Sequence, residues 1–197
     1  MGKRYQAIFR YLGIQFQAFD ALHGLDEILR SASASEGVVI ASPTATHAQY
    51  IEALAPLRKP ILCEKPVTKD LLQLRRLISL CRDAGTPLRM MFQYSMLVSS
   101  SRIGRSFYNY FRHGNDGLIW DCLQIIALAR GTLVLKEESP VWSCVINGQK
   151  LNIAHMDAAY IAYVQKWLRD PAQDLGEIYL IHERVQQAEE NHRATIQ

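Results

Sequence analysis

The sequence predicts an α/β protein, with a parallel-sheet domain over residues 1–96 and a smaller α+β domain over residues 97–197 whose sheet is partly antiparallel. Three observations predict it. The apolar runs Val38-Val39-Ile40-Ala41 and Ile61-Leu62-Cys63 alternate with helical stripes, and parallel strands need such crossover helices. Asn147-Gly148 stands between two strand-like segments, and a two-residue turn with positive φ at both positions favours that pair. Ser99-Ser100-Ser101 separates the two patterns as a linker.

In chain order, Tyr5, Ile8, Phe9 and Leu12 form one helix face that Gly13 terminates. Ile14 to Phe19 alternates apolar and polar residues, predicting a strand that ends on Asp20. A short helix follows over Leu25–Leu29, then the strand from Val38. Thr46 is placed to cap a helix from His47 to about Leu57 that Pro60 stops. Beyond the strand at Ile61, Thr68 is placed to cap a helix with the stripe Leu71, Leu74, Ile78 and Cys81, closed by Gly85. Leu88 to Phe92 is one more strand. In the second half, strands are expected over Phe107–Arg112, Thr132–Lys136, Val141–Ile146 and Gln149–Ile153. A helix from Asp157 uses Tyr160, Ile161, Val164 and Leu168, and a polar helix runs from about His182 to His192.

Composition narrows the function classes. Hydrophobic residues at 49% and charged residues at 21% fit a protein that buries a core. The net charge of +3 comes from scattered basic residues, so no basic stripe points to nucleic acid. No run reaches the roughly 18 apolar residues of a membrane span. Cys63, Cys81, Cys122 and Cys144 stand far apart without metal-ligand spacing, which predicts buried thiols, no metal and a cytoplasmic setting.

The chemistry-bearing residues cluster in two loops. Ala41-Ser42-Pro43-Thr44-Ala45-Thr46-His47 follows one buried strand, and Glu64-Lys65-Pro66 follows the next. In open parallel sheets, ligands bind outside the carboxyl ends of the strands, where these loops lie. A strand ending in S-P-x-x-x-H, a helix, and a strand ending in C-E-K-P together resemble the Gfo/Idh/MocA family of nicotinamide-dependent oxidoreductases.

The resemblance implies a Rossmann-like first domain binding NAD or NADP, with Ser42, Pro43, Thr44, His47, Glu64 and Lys65 along the cofactor. It implies that Lys65 lies beside nicotinamide and substrate and handles the proton of the reacting hydroxyl, a role open to a partly desolvated lysine. The plainer alternatives are a solvated lysine at a helix start, and a His47 that only hydrogen-bonds locally. Gln93 and Tyr94, after the last strand of the first half, would reach the substrate, although buried tyrosine packing accounts for Tyr94 equally well. Trp120, Trp142 and Trp167 read as core rather than sugar platforms.

Two departures from the family pattern stand out. Members open on a strand and G-x-G-x-x-G, whereas this chain begins Met1-Gly2-Lys3-Arg4, so Gly2 takes the place of the third glycine. Asp20 would then hold the adenosine ribose, and Ala21-Leu22-His23 after it leans to NAD. On that reading a strand and two glycines are missing, either because an upstream start precedes Met1 or because the chain is a genuine truncation, and neither cofactor would be bound tightly. In the second domain, Gly117 to Ile125 resembles G-G-x-x-x-D-x-x-x-H. Asp121 matches the aspartate and would assist catalysis, or simply cap a helix, while Ile125 stands in place of the family histidine, with Gln124 beside it as a substrate contact.

The expected function is oxidation or reduction at a hydroxyl of a sugar, cyclitol or sugar nucleotide. The alternative is a catalytically silent relative that binds a ligand or forms oligomers. A homodimer through the second-domain sheet, bearing Tyr108 and Tyr110, is the expected assembly.

Overall fold

The computed structural model describes residues 1–20, 22–98, 103–109, 120, 122–130, 133–135 and 143–196. Asp121, Tyr110, Trp142 and most of the serine linker lie outside the described residues. The chain forms two compact units, Met1–Met91 with Val164–Tyr179, and Phe92–Tyr163 with Leu180–Gln197.

The first unit carries helix α1 (Gly2–Tyr11), α2 (Leu25–Ala34), strand β1 (Val38–Ile40), α3 (Thr44–Leu54), β2 (Ile61–Cys63), α4 (Leu71–Ala84) and β3 (Leu88–Met90). The strands form a parallel sheet in the order β1-β2-β3. Every residue of β2 is buried, as its continuous apolar run requires when helices cover both faces, and β3 is buried as well, with Arg89 among its residues. Ile51, Leu54, Leu74 and Leu77 from α3 and α4 complete this core. Gly85 ends α4 in the left-handed region at φ 70°, and the Thr86 amide returns to the Cys81 carbonyl.

Residues 164–179 close the outer edge of β3. The Gln173 side-chain carbonyl accepts the Met90 amide at 3.1 Å, and Arg89 reaches Asp170 at 3.0 Å and the Ala172 carbonyl. A strand edge is thus paired by a side chain where no further strand is described.

Three local expectations are corrected. Residues 14–19 are extended but join no ladder among the described residues. Their alternation is satisfied locally instead: Phe16 packs on Phe9 with ring centroids 5.8 Å apart, and Gln17 accepts from Ser31 of α2 at 2.8 Å. Thr46 does not cap α3, which starts two residues earlier behind Pro43. Its hydroxyl lies 2.8 Å from both Ser42 Oγ and the Pro43 carbonyl. Asp70, not Thr68, caps α4, because its carboxylate accepts the Leu72 and Gln73 amides at 2.8 and 3.1 Å. Thr68 hydrogen-bonds the Gln73 side chain at 2.6 Å.

The second unit contains β4 (Ser106–Asn109), α5 (Leu123–Leu128), β5 (Leu133–Leu135), β6 (Ser143–Ile146) and β7 (Gln149–Lys150). Helix α6 (Met156–Arg169) and helix α7 (Leu175–Ile196) each contribute residues to both units. The sheet order is β5-β4-β6-β7, with β4/β5 parallel and the other two pairs antiparallel. Asn147 and Gly148 turn the β6–β7 hairpin at φ 53° and 77°. Asn147 is also locked by its side chain, which accepts from the Arg130 amide at 2.6 Å and donates to the Leu128 carbonyl at 3.0 Å. Strand β7 ends at Lys150, short of the expected Ile153, and α7 starts seven residues earlier than expected, where Asp174 accepts the Gly176 amide at 2.8 Å. Tyr160 and Val164 of the expected α6 stripe are buried together with Tyr163 and Trp167, whereas Ile161 is half-buried and Leu168 is 48% exposed.

Candidate active site

The register of the first sheet sets the site. Ile40, Cys63 and Met90 pair across the three strands, so the loops after β1 and β2 leave the sheet at one level. The Glu64 amide donates to the Ile40 carbonyl at 2.9 Å, which carries the ladder one residue into the second loop.

His47 then ties the loops together. Its position in the first turn of α3 points the ring into the protein, where it is 1% exposed. Nδ1 lies 2.8 Å from the Pro66 carbonyl and Nε2 lies 2.8 Å from the Ser42 carbonyl. Carbonyls only accept, and a neutral imidazole has one N–H, so both bonds form together only on the doubly protonated ring. The two ring nitrogens thus each face a backbone carbonyl, one in each loop. Ser42 and Thr44 are half-buried and Pro43 is exposed on the other side of this clamp.

Glu64 is 5% exposed and also faces inward. Its Oε1 accepts the Tyr5 hydroxyl of α1 at 2.7 Å, and its Oε2 accepts the Lys65 amide at 3.2 Å. The carboxylate therefore acts as a brace for the loop rather than as a ligand group. Lys65 itself is half-buried at the carboxyl edge of the sheet, followed by buried Pro66 through a cis peptide bond. A short tether between two buried anchors leaves the lysine side chain as the one long functional group of the E-K-P segment at this edge.

Residues 2–92 match the family model for an oxidoreductase family with an NAD-binding Rossmann fold, GFO_IDH_MocA. Over these residues, a little under half of the chain, the sequence is similar to the Gfo/Idh/MocA family.

Two relatives are similar over part of the chain. Inositol 2-dehydrogenase of Rhizobium meliloti is 32% identical over 87 residues, covering 44% of this chain and 24% of the relative. D-xylose 1-dehydrogenase (NADP+) of Haloarcula marismortui is 32% identical over 94 residues, covering 43% of this chain and 25% of the relative. The chain thus matches about a quarter of the length of each. Among solved structures, the WlbA (WbpB) dehydrogenase of Thermus thermophilus in complex with NAD and UDP-GlcNAcA has a similar fold. The TM-score is 0.69 at 12% identity, over 93% of this chain and 89% of that one. A probable dehydrogenase from Thermotoga maritima gives 0.67 at 11% identity, over 93% and 84%. At such identities the likeness is one of fold.

Other positions read from the Gfo/Idh/MocA pattern are distributed differently. Gly2 lies exposed in the first turn of α1, and a side-chain carbon added there would meet nothing within 4 Å. Asp20 does not end a strand. It closes a local turn, accepting the Leu22 amide at 3.0 Å and facing His23 Nδ1 at 2.9 Å. The Leu22 amide first, and then His23, hold its carboxyl below the usual range.

Gln93, Tyr94 and Gln124 are brought together in the second unit. Gln124 is 2% exposed, accepts the Tyr94 amide at 2.8 Å and donates to Gln93 Oε1 at 2.8 Å. Ile125, at the position of the family histidine, is fully buried. Trp120 and Trp167 are buried as core residues. Among the described residues, no cluster of His, Cys, Asp and Glu has metal-binding geometry, and no helix is long and apolar enough to cross a membrane.

Tyr5 escaped the sequence reading. It registers there only as one member of an apolar helix face, and its carboxylate partner lies 59 residues away.

Proposed function

We propose that the protein is an NAD(P)-dependent oxidoreductase acting on a hydroxyl of a sugar, cyclitol or sugar nucleotide, with Lys65 as its acid–base residue. The observation that carries this reading is the placement of Lys65 at the carboxyl edge of a parallel sheet, between backbone anchors made by Glu64 and His47. The relatives' names, an inositol and a xylose dehydrogenase, support the substrate class.

The loop fits the nicotinamide end of such a cofactor, since Pro43 and the half-buried Ser42 and Thr44 offer small, fixed groups at that edge. The cofactor, when bound, supplies the hydride acceptor or donor. In the oxidation direction the Lys65 amine takes the hydroxyl proton as the carbon–oxygen double bond forms, and in reduction it returns that proton. Orientation comes from the braced loop, because a reacting group held in place avoids the entropic cost of finding its partner.

The fully buried Ile125 favours a second reading, a catalytically silent member that binds a ligand. Isoleucine moves no proton, so any turnover has to run on Lys65 without a histidine partner. Incubation with NAD or NADP and a panel of inositols, aldoses and sugar nucleotides distinguishes the two. Formation of reduced nicotinamide supports the oxidoreductase. Saturable ligand binding with no reduction across the panel would replace it with the silent reading.

A further inference from the structure

Tyr5 stands out because a buried phenol is costly unless its hydroxyl is bonded. It is 3% exposed, on the face of α1 that also buries Ile8. A phenylalanine would fill the same space, so the hydroxyl needs its own explanation. That hydroxyl donates to Glu64 Oε1 at 2.7 Å, in the range of short charge-assisted O–H···O bonds. The opposite oxygen of the same carboxylate accepts the Lys65 backbone amide at 3.2 Å. A carboxylate held at one oxygen cannot rotate freely, so its second oxygen is aimed at the amide. The connection runs from a helix near the start of the chain, through one buried carboxylate, to the backbone of the lysine. Burial pushes the neighbouring Cys63 thiol up, and the Glu64 charge adds to the shift.

We propose that Tyr5 is a positioning residue for Lys65, fixing the Glu64 carboxylate so that it holds the lysine's backbone in the orientation the reaction uses. The inference rests on the role proposed for Lys65. Tyr5 touches neither substrate nor cofactor on this account and acts only through Glu64.

The test is Tyr5→Phe in the full chain, which keeps the ring and removes the hydroxyl, with amide hydrogen exchange followed residue by residue. The Lys65 amide is expected to exchange at least about tenfold faster, the scale set by losing a hydrogen bond to a charged group. The amides of Ile8 and Phe9 in α1 should change much less. Glu64→Gln should raise Lys65 exchange in the same direction. In turnover, kcat should fall while KM for the nicotinamide stays near its wild-type value. Unchanged Lys65 exchange in both variants would overturn the proposal. So would equal deprotection of α1, which would make Tyr5 merely an anchor for its own helix. The exchange measurement needs no turnover, so a wild type inactive on every polyol would count against the oxidoreductase reading and leave the Tyr5 result to be judged separately.

Discussion

His47 Nδ1 and the Pro66 carbonyl oxygen stand 2.8 Å apart, joining two loops separated by 19 residues of sequence. The same ring bonds Ser42 at 2.8 Å, so one side chain satisfies a carbonyl in each loop. His47→Ala is expected to destabilise the protein by about 2–4 kcal/mol, because it removes a buried side-chain link between the loops and opens a cavity. Urea denaturation measures this. A loss below about 0.5 kcal/mol, typical of surface substitutions, would show that the clamp contributes nothing.

Gln124 occupies a comparable place in the second unit. Its amide group serves both Tyr94 and Gln93, which argues for a strut more than for a substrate contact. Gln124→Leu keeps the volume and removes both bonds, and should lower stability by about 2 kcal/mol. Thermal and urea melts give the value. Unchanged stability combined with a raised KM for substrate would instead restore the direct contact expected from the sequence.

The thiols predict a dependence on pH. Burial pushes Cys81 up to about 11 and Cys144 up to about 12. A thiol in the unfolded chain titrates near about 8.5. Keeping these protons therefore stabilises the fold fully below about 8.5, and the contribution is lost as pH rises towards the folded values. At neutral pH these cysteines should resist thiol reagents until denaturant is added. Reaction of Cys81 or Cys144 in the native protein at the rate of a free thiol would contradict their burial.

The legible parts of the fold were those written in local pattern. Ile61 to Cys63 announced a buried parallel strand because only sheets covered on both faces tolerate such runs, whereas Val38 to Ala41 announced a parallel strand in which Ile40 alone is buried. Asn147-Gly148 announced its hairpin because few residue pairs accept positive φ twice. The alternation in residues 14–19 misled, since it describes one wetted face and one packed face, and Phe9 with α2 supplies the packing without a strand. Thr68 and Asp70 compete for one cap, and the nearer carboxylate takes it. Gln173 at the edge of β3 and Tyr5 at Glu64 join residues 83 and 59 positions apart, which no periodicity encodes. In the site, the E-K-P and S-P-x-x-x-H segments were found as motifs. That His47 and Glu64 turn inward to brace the loops emerged only from their partners.

The central claim is that Lys65 moves the hydroxyl proton. Steady-state kinetics of Lys65→Ala on whichever polyol the wild type oxidises with NAD or NADP tests it most directly. The account predicts a fall in kcat/KM of at least about a hundredfold, the lower range for a positioned acid–base group, with folding intact by circular dichroism. Turnover within a few-fold of wild type would contradict it and move the chemistry to another residue.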